Sequence, residues 1–121
     1  MAKLNESSKK LISEIHPALV ATASKNGKPN VSAKGSLRVL DDEHLIFAEI
    51  SSPRTLANLK ENPQINVFVL DPVKRSSCRI WGLATVENQG EKFEKLSNEY
   101  SARNLRVKNV VIISISDVQN T

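Results

Sequence analysis

The sequence predicts a mainly β fold: a six-stranded antiparallel β-barrel with helices at its periphery. Six segments have the composition and alternation of β-strands, and the first three are joined by short turns. Only three segments have helical periodicity, whereas an open doubly wound sheet needs a helix between most of its strands. A chain of 121 residues is the size of one domain, so we assign residues 1–121 to a single domain.

The chain is predicted to begin with a helix and a β-hairpin. Apolar residues recur at helical spacing over residues 5–15, and Pro17 then prevents the helix from continuing. Residues 18–24 have the composition of a strand. The pair Asn26-Gly27 that follows is the strongest short signal for a hairpin turn. We therefore expect the next strand to pair with the first.

The returning strand is predicted over residues 30–40, where the side chains alternate between two faces. One face carries Val31, Ala33, Gly35, Leu37 and Val39, and the other carries Asn30, Ser32, Lys34, Ser36 and Arg38. A turn at residues 41–42 leads to a third strand over residues 44–49, so three consecutive antiparallel strands form a meander.

The second half of the chain contains both helices and strands. A short helix is predicted between Ser52, which is a suitable N-cap, and Pro63, which stops it. The strand that follows, residues 64–70, is apolar at nearly every position, and we expect it to be covered on both faces. The remaining predicted elements are a polar loop over residues 71–77, a strand over 78–87, a helix over 91–104 and a last strand over 107–116.

Composition and charge limit the function classes. The net charge of +4 favours anionic partners, although the basic residues are scattered and are equally explained as a solvated surface. The single cysteine, Cys78, excludes an internal disulfide, and with two histidines the sequence offers no ligand set for a structural metal. The longest apolar run, residues 110–113, is too short to span a bilayer, and the N-terminal residues form no hydrophobic signal segment. We therefore expect a cytoplasmic protein with no membrane partner and no bound metal.

The start of the short helix is the candidate binding site. Arg54 and Thr55 lie in its first turn, where free N–H groups and the positive end of the helix dipole favour a phosphate. Ser32 and Lys34 on the second strand could supply a hydroxyl and a cation to the same phosphate. The same residues also have an explanation without a ligand, because Ser52 can act as a cap alone and alternating Ser and Lys are typical of a solvent-exposed strand face.

The order and spacing of several segments resemble the pyridoxamine 5′-phosphate oxidase-like family, the FMN-binding split barrels. The likeness extends from residue 17 to residue 116, and the chain is similar in size and layout to the small bacterial FMN-binding proteins. The segments that carry the resemblance are residues 27–32, 37–41, 46–59, 62–67 and 80–86.

This resemblance implies an FMN-binding split barrel whose cofactor site lies at a homodimer interface. Trp81, together with Gly82 and the last strand, is a candidate to cover the flavin ring from the partner subunit. The positions that hold the flavin phosphate correspond to Ser32, Lys34, Arg54 and Thr55, with Asn58 in support.

The resemblance also implies a place for the flavin ring and a reaction class. The chain lacks the C-terminal Arg- and His-rich segment with which a true pyridoxamine phosphate oxidase holds its substrate, so that activity is not expected. The implied function is an FMN-dependent oxidoreductase of unknown substrate and redox partner, with no catalytic residue assigned. The ring would lie along the third strand, mostly against the backbone, at Phe47, Ala48, Glu49 and Ile50.

Other functions are compatible with the sequence. The protein could be an FMN-binding electron carrier without a substrate of its own, or a family member that binds heme, a deazaflavin or no cofactor. A nucleic-acid-binding barrel is disfavoured, because the chain has only five aromatic residues and only Trp81 alternates with a basic residue, Arg79, along a strand. We therefore expect no nucleic-acid partner.

Overall fold

The computed structural model describes residues 2–121 and contains, within them, three helices and seven strands. The helices are α1 (Glu6–Glu14), α2 (Pro53–Glu61) and α3 (Glu91–Ser101). The strands are β1 (Ala18–Ala23), β2 (Pro29–Lys34), β3 (Arg38–Asp41), β4 (His44–Glu49), β5 (Gln64–Asp71), β6 (Ser76–Glu87) and β7 (Asn109–Asn120). The prediction of a mainly β fold with three helices is confirmed.

All seven strands form one antiparallel sheet in the order β2-β1-β5-β6-β7-β4-β3. The strands β2 and β3 follow each other in the chain, yet they lie at opposite edges of the sheet. Only residues 35–37 separate them. Because an extended chain gains about 3.5 Å per residue, the end of β2 and the start of β3 lie within about 14 Å of each other. The sheet therefore curves so strongly that its two edge strands, β2 and β3, face each other. We call the gap between them the seam.

The predicted count of six strands is wrong, because the segment over residues 30–40 forms two strands instead of one. Its alternation runs through Gly35 without a break, so the sequence pattern does not reveal the division. At the seam, the Ala48 N–H donates to the Ser36 hydroxyl at 2.8 Å, and this hydroxyl lies 3.4 Å from the Ala48 carbonyl oxygen, to which it donates. A side chain thus replaces the backbone ladder there, and the predicted barrel is a curved, unclosed sheet.

The core consists of two apolar clusters on opposite faces of β4. The larger cluster fills the inside of the curved sheet and includes Phe47, which has no exposed surface. The smaller cluster packs α3 against the other face of β4 and β7 through Leu96, Tyr100 and Val110. The strand β4 is therefore buried on both sides, and its residues after Phe47 lead directly into the seam.

The strand β5 departs from the expectation that it is covered on both faces. Its residues alternate between buried and partly exposed positions, and Leu70 is 45% exposed. The covered face contributes Ile65, Val67 and Val69 to the larger core cluster. Within this chain nothing covers the outward face of β5 in the described residues, so its unusually apolar composition is only half explained by the fold.

The ends of several elements also differ from the predicted ones. Helix α3 ends at Ser101 instead of residue 104, and β7 continues beyond residue 116 to Asn120. This extension lets Asn120 exchange hydrogen bonds with Asn5 and Ser8 at 2.8–3.3 Å, which joins the start of α1 to the last strand. Helix α3 is the longest of the described helices at 11 residues, and none is long and apolar enough to span a membrane.

Candidate cofactor site

A cleft of about 460 Å³ lies at the seam, between the end of β2, the end of β4 and the end of α3. The crossing segment at Gly35 and Ser36 forms one of its walls. It is lined by residues with hydroxyl, cationic and small apolar side chains, which include Ser32, Lys34, Ala48, Ile50, Ser52, Tyr100 and Arg103. The cleft therefore contains several of the residues that the sequence predicts for the cofactor site.

The polar face of β2 points inward, toward this cleft. Ser32 is half-buried and Lys34 is only 8% exposed, whereas Val31 between them is 62% exposed on the outward face. The interpretation of alternating Ser and Lys as a solvent-exposed face is therefore wrong. An edge strand that buries its polar side chains and exposes its apolar ones is reversed relative to an ordinary amphipathic strand. The Lys34 side chain therefore faces the cleft, and Val31 faces outward.

Lys34 is a largely buried side chain whose ammonium group, in the described residues, has no direct partner. Among residues 2–121 its ammonium group has neither a hydrogen bond nor an ion pair, and it lies 5.4 Å from the centre of the Phe47 ring. Burial lowers the pKa of Lys34 below its ordinary value, and the negative charge of Glu49 only partly counteracts this effect. An uncompensated buried charge is costly, and an anion in the cleft would remove much of that cost.

A pair of hydroxyl groups connects β2 to the first turn of α2. The oxygens of Ser32 and Thr55 lie 2.9 Å apart, and the side-chain amide of Asn30 donates to the Thr55 hydroxyl at 3.4 Å. Thr55 is 1% exposed, so these contacts lie inside the protein. They fix the start of α2 beside the strand that carries Lys34.

The start of α2 differs from the prediction in one respect: Ser52 does not cap the helix with its side chain. Its backbone N–H and its hydroxyl donate to a carboxylate oxygen of Glu49 at 3.1 and 3.4 Å. The first hydrogen bond within the helix runs from the Leu56 N–H to the Ser52 carbonyl at 3.0 Å. In the described residues the N–H groups of Arg54 and Thr55 therefore have no hydrogen-bond partner, and they remain available to an anion.

Glu49 is a structural carboxylate at the end of β4. It is 2% exposed and accepts a hydrogen bond from the Asn109 side-chain amide at 2.8 Å, in addition to the bonds from Ser52. Burial raises the pKa of this carboxyl group, but the hydrogen bonds and the charges of Lys34 and Lys108 outweigh that effect and hold the pKa below its ordinary value. Glu49 thus remains ionised and ties β4, α2 and β7 together.

The residues predicted to contact the flavin ring along β4 have different environments. Phe47 belongs to the core, and both backbone groups of Ala48 are occupied by Ser36. The carbonyl of Glu49 accepts from the Lys108 N–H at 3.0 Å. Ala48 and Ile50 line the cleft. Of the four residues, Ile50 is therefore the one whose backbone is most available to a ligand.

Three further predicted residues lie outside the cleft. Arg54 and Asn58 line a separate depression of about 220 Å³ beside the β1–β2 hairpin, where the Asn58 amide donates to the Thr22 hydroxyl at 3.0 Å. Trp81 is 37% exposed on β6 and lines another depression of about 300 Å³ together with Asn66. Within this chain, Trp81 is not brought to the residues that form the cleft.

Sequence reasoning missed Tyr100 and Arg103 as site residues. The helical periodicity that identifies α3 assigns Tyr100 to the apolar stripe, and the position of Arg103 is explained by the helix dipole. In the structure the guanidinium of Arg103 stacks on the Tyr100 ring at 4.9 Å, and both line the cleft. No local pattern could have revealed this, because the seam brings the end of α3 to residues about 60 positions earlier in the chain.

Comparison with known proteins identifies the family to which this fold and cleft belong. The family model of pyridoxamine 5′-phosphate oxidase matches residues 4–119, so the chain belongs to that family. The uncharacterized protein MJ0282 of Methanocaldococcus jannaschii is 32% identical over an alignment of 106 residues, and the match covers 84% of this chain and 70% of that protein.

Several solved structures share this fold. HupZ of Group A Streptococcus has a TM-score of 0.89 at 28% identity over 97% of this chain and 93% of its own. An FMN-binding protein of Syntrophomonas wolfei has a TM-score of 0.85 at 21% identity, covering 96% of this chain and 84% of its own. An F420 reductase and HutZ, the heme storage protein of Vibrio cholerae, share the fold with TM-scores of 0.73 and 0.71 at 20% and 18% identity. The match to the F420 reductase covers 96% of this chain and 98% of that chain. The match to HutZ covers 98% of this chain and 94% of that chain.

Proposed function

We propose that this protein binds FMN in the seam cleft and acts as a flavin-dependent oxidoreductase. The observation that carries the proposal is the largely buried side chain of Lys34, whose unpartnered ammonium group faces a cleft bordered by Ser52, the residue before α2. A phosphate in this position would pair with Lys34 and accept from the free N–H groups of Arg54 and Thr55. The Ser32 and Thr55 hydroxyl groups could reorient toward it, because each can donate or accept.

The protein's own contribution is to bind and orient this cofactor, and FMN when bound supplies the hydride and electron transfer. Phe47 fixes the position of β4 through its place in the core, and Ala48 and Ile50 then present small and apolar surface to the cleft. Glu49 stays ionised through its hydrogen bonds, which keeps the start of α2 in place beside Lys34.

We further propose that two copies of the chain associate through the outward face of the sheet. Aligned positions on β2, β1, β5 and β6 place Val31, Ala21, Asn66 and Trp81 in one row across that face. Val31 and Trp81 are 62% and 37% exposed, and Leu83, next but one to Trp81, is 52% exposed. A second copy would cover this apolar row and the open face of β5. In such a dimer, Trp81 of one subunit could reach the cofactor of the other.

The alternative functions, which are binding of heme, binding of a deazaflavin and electron transfer without a substrate, require different groups in the cleft. A heme group needs an axial ligand, and the described lining of the cleft includes no histidine, cysteine or methionine, which leaves Tyr100 as the side chain there of a type that binds heme iron. Outside the cleft, His44 donates from Nδ1 to a carboxylate oxygen of Asp41, 2.8 Å away. A deazaflavin that carries a phosphate would use the same cation and N–H groups, so only binding measurements separate it from FMN. An electron carrier would bind FMN equally well but would not turn over a small substrate.

The proposal is tested by FMN titration of Lys34→Met, with Lys74→Met as the matched control, because Lys74 is exposed on the β5–β6 loop. Loss of a charged contact with the phosphate should raise the Kd for FMN by about ten-fold or more. The control should bind as the unmodified protein does. If the unmodified protein is colourless as purified and its Tm ignores added FMN, or if Lys34→Met binds FMN unchanged, the proposed site is wrong.

A further inference from the structure

A second cleft, larger than the first, lies on the other side of the crossing segment. Its volume is about 830 Å³, and it is bounded by α1, by β3 and by the end of α3. Gly35, Ser36, Tyr100 and Arg103 line both clefts, so the two are neighbours that share a wall. A ligand in the larger cleft would therefore lie next to whatever occupies the smaller one.

The charges around the larger cleft are unbalanced in favour of cations. Lys9 is paired with Asp42 at 2.6 Å and with Glu6 at 3.4 Å. Lys10 has no acidic partner within 4 Å among residues 2–121. The side chain of Lys10 is exposed and reaches the cleft from α1.

The opposite wall has the same imbalance. Arg38 is bound by Glu99, whose two oxygens accept at 2.9 and 2.7 Å. The hydrogen bond from Arg38 is the main cause of the low pKa of Glu99, and the positive charge of Arg103 makes a smaller contribution. In the described residues Arg103 forms no ion pair of its own. Lys10 and Arg103 are thus left as two uncompensated cations, one on each side of the cleft.

The floor between these cations is apolar. Ile12, Leu37 and Val39 line it, together with the ring of Tyr100. Ile12 and Leu37 are each 1% exposed, so they form a fixed part of the core beneath the cleft. Pockets of about 300–1,000 Å³ that combine an apolar surface with a few polar groups are typical binding sites for small organic ligands.

We propose that this cleft binds an organic anion with an apolar body and a carboxylate or phosphate group. The apolar body lies on Val39 and the edge of the Tyr100 ring, above the buried Ile12 and Leu37, and the anionic group pairs with Lys10 or Arg103. If the smaller cleft holds FMN, as proposed above, this anion is the substrate or redox partner of the flavin. A separate place for a substrate favours an enzyme over an electron carrier.

The binding step is tested with 2-naphthoate and its uncharged analogue 2-naphthamide, followed by NMR of ¹⁵N-labelled protein. The naphthoate should shift the amide signals of Gly35, Leu37 and Val39, and the naphthamide should bind at least about five-fold more weakly. A comparison with 2-naphthyl phosphate then shows whether carboxylate or phosphate is preferred. Equal binding of naphthoate and naphthamide, or shifts confined to the outward face at Val31 and Trp81, would overturn the proposal.

Two double variants separate this site from general surface charge. Lys10→Ala with Arg103→Ala should weaken naphthoate binding by about five-fold or more. The control, Lys74→Ala with Lys92→Ala, removes two exposed lysines outside both clefts and should have no effect. Unchanged binding in the first double variant would contradict the proposal.

A single variant separates this proposal from the FMN site. Lys10→Ala should retain full FMN affinity, because Lys10 lines only the larger cleft. Failure of the protein to bind FMN would remove the flavin role but leave naphthoate binding intact. A protein that binds FMN but not naphthoate would instead contradict the proposed substrate cleft and leave the proposed FMN site unaffected.

Discussion

The guanidinium of Arg38 binds both carboxylate oxygens of Glu99, at 2.9 and 2.7 Å, and so joins the start of β3 to the end of α3. The hydrogen bond to Glu99 raises the pKa of Arg38, and the reciprocal bond lowers the pKa of Glu99. Both side chains are about one-third exposed, at 40% and 35%, so solvent screens the pair. This bridge forms the wall between the core under α3 and the larger cleft.

Glu99→Gln should lower the Tm at neutral pH by a few degrees, because it removes a partly screened bidentate pair worth about 1 kcal/mol or less. Since the folded-state pKa of Glu99 is depressed, its contribution is present above its unfolded-state pKa and is lost as the pH falls through the lower folded-state value. The Tm difference from the unmodified protein should therefore vanish in strong acid. Glu14→Gln, at an exposed residue without an ion pair, should show no loss of Tm at either pH.

Lys34→Met should stabilise the FMN-free protein, by about 1 kcal/mol, although it is expected to weaken FMN binding. Because burial depresses the folded-state pKa of Lys34, the charged form costs stability below that pKa, and the cost falls as the pH rises toward the unfolded-state value. The gain in Tm on substitution should thus be largest at neutral pH and smaller near pH 10. A loss of Tm at neutral pH would show that Lys34 stabilises the fold itself, and Lys74→Met serves again as the control.

Gly82→Ala should destabilise the protein by about 1–3 kcal/mol, as measured by chemical denaturation. A Cβ at this position would clash with the Ser114 carbonyl oxygen and the Ile113 side chain, next to the irregularity in the β6–β7 pairing. Gly35→Ala is the matched control, because a Cβ there meets no atom within 4 Å. Equal stability of the two variants would contradict the packing of β6 against β7.

Arg54→Ala and Thr55→Val should weaken FMN binding in different ways, and the double variant should raise the Kd by ten-fold or more. Thr55 is buried beside Ser32, so the effect of its loss should be independent of salt. Arg54 lines the neighbouring depression, so its charge acts across solvent and its effect should shrink in 0.5 M NaCl, where the Debye length is only about 4 Å. An unchanged Kd in the double variant would exclude the side chains of Arg54 and Thr55 from phosphate binding.

Val31→Lys with Leu83→Lys should shift the protein from dimer to monomer in sedimentation experiments, because both charges would lie in the proposed apolar interface. Val73→Lys provides the control. Val73 is 88% exposed, but it lies in the β5–β6 loop and not in the aligned row of the sheet. A monomer before any substitution, or a dimer that tolerates both lysines, would rule out this face as the interface.

Much of the fold follows from local patterns in the sequence. The Asn26-Gly27 turn and the apolar periodicities correctly predict the first hairpin and all three helices within a few residues. The division of residues 30–40 could not be predicted, because it results from the curvature of the whole sheet and leaves the local alternation intact. For the same reason the sequence could not show that the Ser and Lys face of β2 is the covered one.

The sequence predicts those residues of the candidate site that lie in the same strand or at the same helix start. Ser32 and Lys34 line the same cleft, and the Ser32 hydroxyl lies next to that of Thr55. The position of Arg54 in the first helical turn and the family resemblance at Trp81 do not fix where these side chains point, because the direction of a side chain depends on tertiary packing. Their predicted contacts with FMN remain predictions for the dimer.

The seam between the edge strands β2 and β3 has a consequence for folding and unfolding. The hairpins β1–β2 and β3–β4 can each form locally, but they become opposite margins of the sheet only after β5, β6 and β7 have paired between them. The seam cleft is therefore completed late, and it opens early when a margin frays. A ligand that contacts both Lys34, at the end of β2, and Ile50, just after β4, would hold the two margins of the sheet together. It should slow unfolding more than it speeds folding, and amide hydrogen exchange along β2 and β3 would register that difference.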